Sequence, residues 1–389
     1  MTMSASGRIV IIGAGMAAYS VARELRKHDT GTPLLLISGD AGAAYAKPML
    51  SNAFALGKVP AQLVSHSATQ MAAQLGATVR AHTRIEHIDT EARLLHAGRE
   101  RIAYSQLVLA LGAEPIRLPV EGDAGHEILS VNHIDDYLLL RERLDKLGRP
   151  ARVAILGAGL IGCEFAEDLV AGGHSVTLVD PNPRPLAALA APALSDGLAQ
   201  AWAGQPISLR LGTTATSVAR VGAVLLVGLA DGSFVSADLV VSAVGLRPAT
   251  GLARSAGLAT GRGISVDEYG RTSAPGVYAL GDCAEYSGAG VLPYVAPMMA
   301  AARAIAATLA GTPTPIAFKP DAVIVKTPSY RLALAPPPRD TAGQWIAQRD
   351  EERTIAHFID AEGLVRGFGM SAHTPALRQA QLAKLGQRR

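Results

Sequence analysis

Two stretches of this chain carry the residue types and spacing that hold a pyrophosphate. Gly13, Gly15 and Ala18 form GxGxxA, and Gly157, Gly159 and Gly162 form GxGxxG, each directly after an apolar run and at the start of a helical pattern. At such a junction the first glycine makes the tight turn, the second lets the backbone reach the phosphates, and the third small residue lets the helix pack close to the strand. Phosphate oxygens then meet the free N–H groups and the positive end of the helix. In a chain with 40 glycines either motif alone is weak; the strand–turn–helix setting is what gives it meaning.

Carboxylates at strand ends are the second chemical signal. Asp180 lies eighteen residues beyond Gly162, at the end of SVTLVD. There it can accept two hydrogen bonds from an adenosine ribose and repel a 2′-phosphate, which favours NADH over NADPH. Arg184, four residues on, would soften that preference. Asp180 could equally open the DPNP turn. In the first unit Asp40 is the local acid, either a ribose ligand or a solvated loop charge. Gly281 and Asp282 close TSAPGVYALGD, where a strand delivers a carboxylate able to accept from a ribityl hydroxyl and a glycine that permits close approach. Glu164 stands in the first turn of the second helical stretch, a position that favours a carboxylate in any case.

These residues need strands and helices behind them. Arg8–Ile12 reads as a short strand, Ala17–His28 as a helix and Pro33–Ser38 as a second buried strand, the opening of a doubly wound parallel sheet. AYAKPMLS, Ala44–Ser51, reads as a loop leading into a helix. Ala77–Ala81 is a strand, a hairpin region runs to about Tyr104, and Leu107–Leu111 is another strand. Arg152–Asp180 then repeats strand, glycine turn, helix and strand, about 144 residues after the first unit. LVVSAVGLRP, Leu239–Pro248, resembles the earlier LVLALGAEP, and both read as crossings between domains, so the second unit is an insertion in the first. A helix is expected at Ala300–Leu309. The tail from Phe318 changes character, with strand-like AVIVK, QWIAQ, TIAHFI and LVRGFGM and then a charged helix; APPPR, Ala335–Arg339, reads as a rigid exposed loop.

Composition narrows the function classes. With 389 residues the chain should hold two or three domains at about 100–200 residues each. Apolar residues make up 49% and aromatics only 4%, which suits helices packed on sheets. Net charge is +3 without blocks of like charge, so nucleic acid is not an expected partner, while a mildly basic surface suits an acidic protein. Cys163 and Cys283 are far apart and no CxxC pair occurs, which argues against a disulfide framework, a redox-active pair and a cysteine-rich metal site; no metal is expected. The N-terminus lacks a signal-peptide pattern, and no uncharged apolar run approaches the ~18–20 residues that span a bilayer. The cytoplasm is the expected compartment, and a monomer the expected state.

The order GxGxxA, KPMLS, LVLALGAEP, GAGLIGCE, LVVSAVGLRP and VYALGDCAE resembles the two-dinucleotide flavoprotein family in its ferredoxin-reductase-like branch, and within it the rubredoxin-reducing members, which YAKPMLS, GAGLIGCEFA and VKTP followed by APPPR also resemble. The likeness covers nearly the whole chain. It implies an α/β fold of two nested Rossmann-like domains, for FAD (1–110 and 246–317) and NADH (111–245), and a small α+β C-terminal domain (318–389). Lys47 and Pro48 match the family's flavin-proximal pair. Ile85 falls where a main-chain contact to the FAD adenine is expected, Asp282 matches the ribityl acid, Val295 the residue at the flavin's pyrimidine end, and Lys326 a flavin-side lysine. Lys47 and Glu164 are the expected catalytic side chains: Lys47 stabilises the reduced ring, and Glu164 either faces it at the flavin or serves only its own helix. Asn132 stands where the family carries an arginine, and the part of the tail around Lys326 lacks the tryptophan-containing sequence that many relatives carry there.

The resemblance implies a FAD-dependent oxidoreductase that takes a hydride from NADH and passes single electrons to rubredoxin, an acidic iron carrier. Arg331, Arg339, Lys384, Arg388 and Arg389 are candidate docking charges, or simply solvated ones. The alternatives are reduction of a ferredoxin or of oxygen, and a non-enzymatic flavoprotein redox sensor. Cys163 reads as a packing residue; Cys283, beside the Gly-Asp pair, is either structural or close to the cofactor.

Overall fold

A computed structural model describes residues 7–388. The chain divides into two compact units: residues 7–46, 61–114 and 246–319 form the first, and 47–60, 115–245 and 320–388 the second. Each unit is built around a parallel sheet.

In the first unit the sheet order is Val277–Ala279, Gln106–Leu109, Ile9–Ile12, Leu34–Ile37, Thr78–Arg80, all parallel. The central strands IVII and LLLI are buried at every position. Continuous β-branched and leucine runs of this kind are what a strand covered on both faces requires. Helix Met16–His28 buries Ala18, Tyr19, Val21, Ala22 and Leu25, and Arg26, Lys27 and His28 occupy its last turn, where cations suit the helix dipole. It packs on helix Val295–Leu309, whose buried Ala301, Ala302, Ala304 and Ala306 allow close approach. That helix starts five residues before the expected Ala300, because Pro297 falls in its first turn, where proline costs no hydrogen bond. A three-stranded antiparallel sheet, His87–Asp89, Leu94–Ala97 and Glu100–Ala103, completes the hairpin region.

The second unit repeats the plan. Its parallel sheet runs Leu129–Ser130, Leu239–Ser242, Arg152–Leu156, Ser175–Asp180, Ile207–Leu211. An antiparallel meander, Ala215–Val221, Val224–Leu229 and Phe234–Ala237, adds Val218, Leu225 and Val227 to a core shared with Ala154, Leu156 and Val240. Segment 47–60 joins this unit through a fitted contact. Gly172 has no Cβ where Phe54 lies, the Phe54 ring meets His174 edge-on at 5.6 Å, and the Arg141 guanidinium covers it at 3.9 Å. The KPMLS sequence makes only a short 3-10 helix, Lys47–Ser51.

The tail forms a five-stranded antiparallel sheet, in order Val323–Val325, Leu332–Ala335, Val365–Ser371, Thr354–Asp360, Gly343–Arg349, followed by helix Pro375–Leu382. Leu332–Ala335 is a strand that the sequence reading missed; LALA has no alternation because all four residues are buried. The proline run is less exposed than expected. Pro336 and Pro337 are half-buried, since Gly367 leaves room for the Pro337 backbone, and exposure begins at Pro338.

Candidate functional site

At the carboxyl edge of the first unit's sheet the predicted residues converge. The Gly13 N–H donates to the Ile37 carbonyl at 2.8 Å, and a Cβ on Gly13 would lie 2.3 Å from the Ala110 carbonyl oxygen, with φ at +124°. No side chain fits there. Gly15 has open space where its Cβ would be and forms the N-cap of helix Met16–His28 without any side-chain cap, so the first N–H groups of that helix face outward. Ala18 is fully buried, as close helix–strand packing requires.

The neighbouring strand ends bring in the rest. His82 N–H donates to the Asp40 carbonyl and Thr83 N–H to the Ser38 carbonyl, both at 2.8 Å, which carries the chain past Asp40 to the buried Ile85. The Asp40 carboxylate accepts from Ser38 Oγ (2.6 Å) and Gly42 N–H (2.8 Å), so it shapes its own loop through one oxygen. Gly281 has φ +77° with Ala17 Cβ only 3.0 Å from where its Cβ would be. Asp282 follows, half-buried in a 3-10 turn, and forms no hydrogen bond or ion pair among the described residues. Val295 opens its helix, 45% exposed. An uncapped helix start, two glycines that admit no side chain and a carboxylate without a protein donor fit a dinucleotide with a polyol chain.

The second unit has the same edge. Gly157 N–H donates to the Val179 carbonyl at 2.7 Å; its Cβ would fall 2.5 Å from the Ala243 carbonyl oxygen, and one on Gly162 only 1.9 Å from the Gly157 carbonyl oxygen. Gly159, again the N-cap without a side-chain cap, opens on free space. Asp180 opens the DPNP turn, one of the two roles considered for it, and also holds the glycine turn. Its Oδ2 accepts from Ala158 N–H at 2.7 Å and so pins the glycine turn, while Oδ1 accepts from the Asn182 N–H and Nδ2, both at 2.8 Å, and opens the DPNP turn. Oδ1 thus accepts twice already, and Oδ2 keeps a second lone pair for a ribose hydroxyl. Arg184 is paired with Asp196, which removes much of its pull on a phosphate.

A polar cluster lies within the same unit. Glu164, 3% exposed, accepts from Ser51 Oγ (2.7 Å), from the Lys326 backbone N–H (3.0 Å) and from the Lys326 ammonium. Lys326 Nζ also donates to the Pro48 carbonyl (2.7 Å) and to Ser51 Oγ (2.9 Å). Predicted Glu164, Lys326 and Pro48 thus meet through Ser51, a residue the sequence reading quoted in KPMLS but gave no role. Lys47, half-buried, begins the same turn. One helical turn beyond Glu164 is Asp168, also unpredicted. It is 2% exposed and accepts from Ala55 N–H at 2.9 Å; burial raises its pKa against the pull of the Ala55, Phe54 and Ala53 N–H groups and Lys326.

Both thiols are free and buried. Cys163 donates to the Ala158 carbonyl at 3.2 Å, and burial pushes its pKa far up; Cys283 donates to the Leu280 carbonyl at 3.3 Å, and burial pushes it up to about 11. Among the described residues no group of His, Cys, Asp and Glu is placed to hold a metal ion, and no helix is long and apolar enough to cross a membrane. On the tail Arg331, Arg339, Lys384 and Arg388 are exposed, and Arg389 lies outside the described residues. Arg378, which the sequence reading passed over, donates to His373 Nδ1 at 2.8 Å; burial, Arg378 and Arg331 together hold that imidazole's pKa down.

The family model for pyridine nucleotide-disulphide oxidoreductases matches residues 7–308, and that for the rubredoxin binding C-terminal domain matches residues 315–385. A rubredoxin-NAD(+) reductase of Acinetobacter baylyi is 41% identical over 97% of each chain. One of Alcanivorax borkumensis is 40% identical over 93% of this chain and 94% of its own. Among solved structures, a ferredoxin reductase from Rhodopseudomonas palustris superposes with TM-score 0.85 at 29% identity, covering 94% of this chain and 91% of that one.

Proposed function

The chain belongs to the pyridine nucleotide-disulphide oxidoreductase family, and from that premise we propose that it is a flavin-dependent NADH oxidoreductase that delivers electrons to rubredoxin. The observation that carries this reading is the pairing of two uncapped glycine-turn cradles with a tail that matches a rubredoxin-binding domain. Without a cysteine pair, electrons have no disulfide to pass through, so they leave for an external acceptor.

A bound FAD supplies the redox chemistry, accepting two electrons as a hydride and giving them up singly. The chain supplies binding and electrostatics. Gly13, Gly15 and the open start of helix Met16–His28 take the FAD pyrophosphate; Asp282 accepts from the ribityl chain; Asp40 and the Ile85 backbone line the adenine end; Val295 lines the pyrimidine end. Gly157, Gly159 and Gly162 take the NADH pyrophosphate, and Asp180 accepts from its ribose, which selects against a 2′-phosphate. Lys47 and Lys326 bring positive charge for the reduced ring, and Glu164 balances Lys326. The exposed arginines and lysines of the tail attract an acidic carrier. The cytoplasm, where NADH is supplied and thiols stay reduced, is the compartment this reading needs.

The test is steady-state NADH oxidation with a panel of acceptors. The reading predicts turnover with rubredoxin well above that with a plant-type ferredoxin, oxygen or a generic dye. Equal rates with rubredoxin and the dye would reject rubredoxin as the acceptor.

A further inference from the structure

Glu167 lies three residues beyond Glu164 on helix Leu160–Ala171 and is 8% exposed. Its partners form a clamp. Oε1 accepts from Trp202 Nε1 at 2.7 Å and from Ser329 Oγ; Oε2 accepts from the Ser329 backbone N–H at 3.1 Å. Both oxygens therefore hold the loop that carries Lys326. That loop is itself a closed turn, with Tyr330 N–H donating to the Thr327 carbonyl at 3.1 Å and Thr327 Oγ1 to the Tyr330 carbonyl at 2.8 Å. On its far side Tyr330 enters space that only a glycine leaves, since a Cβ on Gly197 would lie 2.5 Å from the Tyr330 hydroxyl oxygen. A buried carboxylate on one side and a glycine slot on the other leave the turn little freedom.

We propose that Glu167 is a positioning residue, which fixes the Thr327–Tyr330 turn so that Lys326 delivers its ammonium to Glu164, Ser51 and the Pro48 carbonyl. The helix that starts at the Gly157–Gly162 cradle thereby ties the C-terminal sheet to the Lys47–Ser51 segment through two carboxylates one turn apart. Glutamine at 167 cannot do this, because its NH2 group would face either the Ser329 N–H or the Trp202 N–H, a donor against a donor. The role in electron delivery rests on the functional reading above; the placement of Lys326 does not.

The experiment is competitive acetylation of the FAD-loaded protein with limiting acetic anhydride, read at Lys326 by mass spectrometry with exposed Lys384 as the internal reference. In the native protein Lys326 is shielded by burial and its three partners. Glu167→Gln should raise its labelling relative to Lys384 about tenfold or more, the factor expected from loss of a charge-assisted hydrogen bond. Ser329→Ala, which removes one of the three donors and poses little risk to folding, should give a smaller rise. Trp202→Phe, which leaves the Ser329 clamp intact, should give none. Unchanged labelling in both Glu167→Gln and Ser329→Ala overturns the proposal, and so does a rise in Trp202→Phe as large as in Glu167→Gln, since that would mark general loosening. If labelling behaves as expected but the unmutated protein does not turn over rubredoxin, the functional reading fails and the positioning role stands.

Discussion

The Lys326 ammonium sits against the Glu164 carboxylate, 162 positions earlier in the chain, and both are tied to Ser51. The two ends of this pair differ in their access to water: Glu164 is 3% exposed and Lys326 24%. Removing the cation strands a buried charge, whereas removing the anion leaves an ammonium that can turn outward. Lys326→Met should therefore cost about 3 kcal/mol of stability and Glu164→Gln only about 1–2 kcal/mol. Urea denaturation of the two variants checks the order; equal costs would mean that the pair is solvated.

The glycines of each cradle separate structure from binding. Gly13→Ala and Gly157→Ala drive a methyl into a backbone carbonyl at positive φ and should unfold or destabilise the protein by several kcal/mol, on the order of 3 or more. Gly15→Ala and Gly159→Ala meet nothing within the protein. They should fold normally but lose FAD and weaken NADH binding about tenfold or more, roughly 1.4 kcal/mol. Melting temperature, flavin content and the KM for NADH distinguish the two pairs.

Asp168 should make stability depend on pH. Burial raises its pKa, and it lines a 280 Å³ cavity with Asn52, Glu167, Lys326 and Ser329. A raised carboxyl pKa favours the folded state fully below the unfolded value of about 3.9, and that advantage is lost as pH climbs through the folded value. Lys326 from the tail pulls the pKa the other way, and the Tyr137 hydroxyl of helix Ile134–Lys146 lies within electrostatic reach of the Asp168 carboxylate. Asp168→Asn imitates the protonated form. Its melting temperature relative to the native protein should rise with pH from about 4 toward neutrality; a flat difference would show an Asp168 ionised without cost.

Much of this was legible in the sequence. Both glycine motifs, the strands that feed them and Asp180 obey local rules, so pattern alone located them. The rest depends on contacts distant in sequence. Ser51, Glu167 and Asp168 look like ordinary loop or helix residues until the tail and segment 47–60 arrive beside them. Strand Leu332–Ala335 escaped because a fully buried strand shows no alternation. Arg378 was hidden in a charged helix whose partner, His373, lies just before it.

The thiols separate this chain from relatives that work through a disulfide. Cys163 and Cys283 are buried, donate to carbonyls and have raised pKa values, so a thiol reagent at neutral pH should label neither until the protein unfolds. Replacing both with alanine should cost about 1–2 kcal/mol in stability and leave turnover with rubredoxin essentially unchanged. Loss of turnover would give one of them a redox role.

The central claim is that the chain draws electrons from NADH and hands them to rubredoxin. Anaerobic stopped-flow absorbance tests it in one mixing sequence: one equivalent of NADH is added to the FAD-loaded protein, followed by oxidised rubredoxin. The account predicts rapid bleaching of the flavin bands by NADH, less by NADPH, and then their return with two rubredoxins reduced per flavin. A protein that stays colourless when FAD is supplied, or a bleached protein that keeps its electrons as long with rubredoxin as without it, would contradict it.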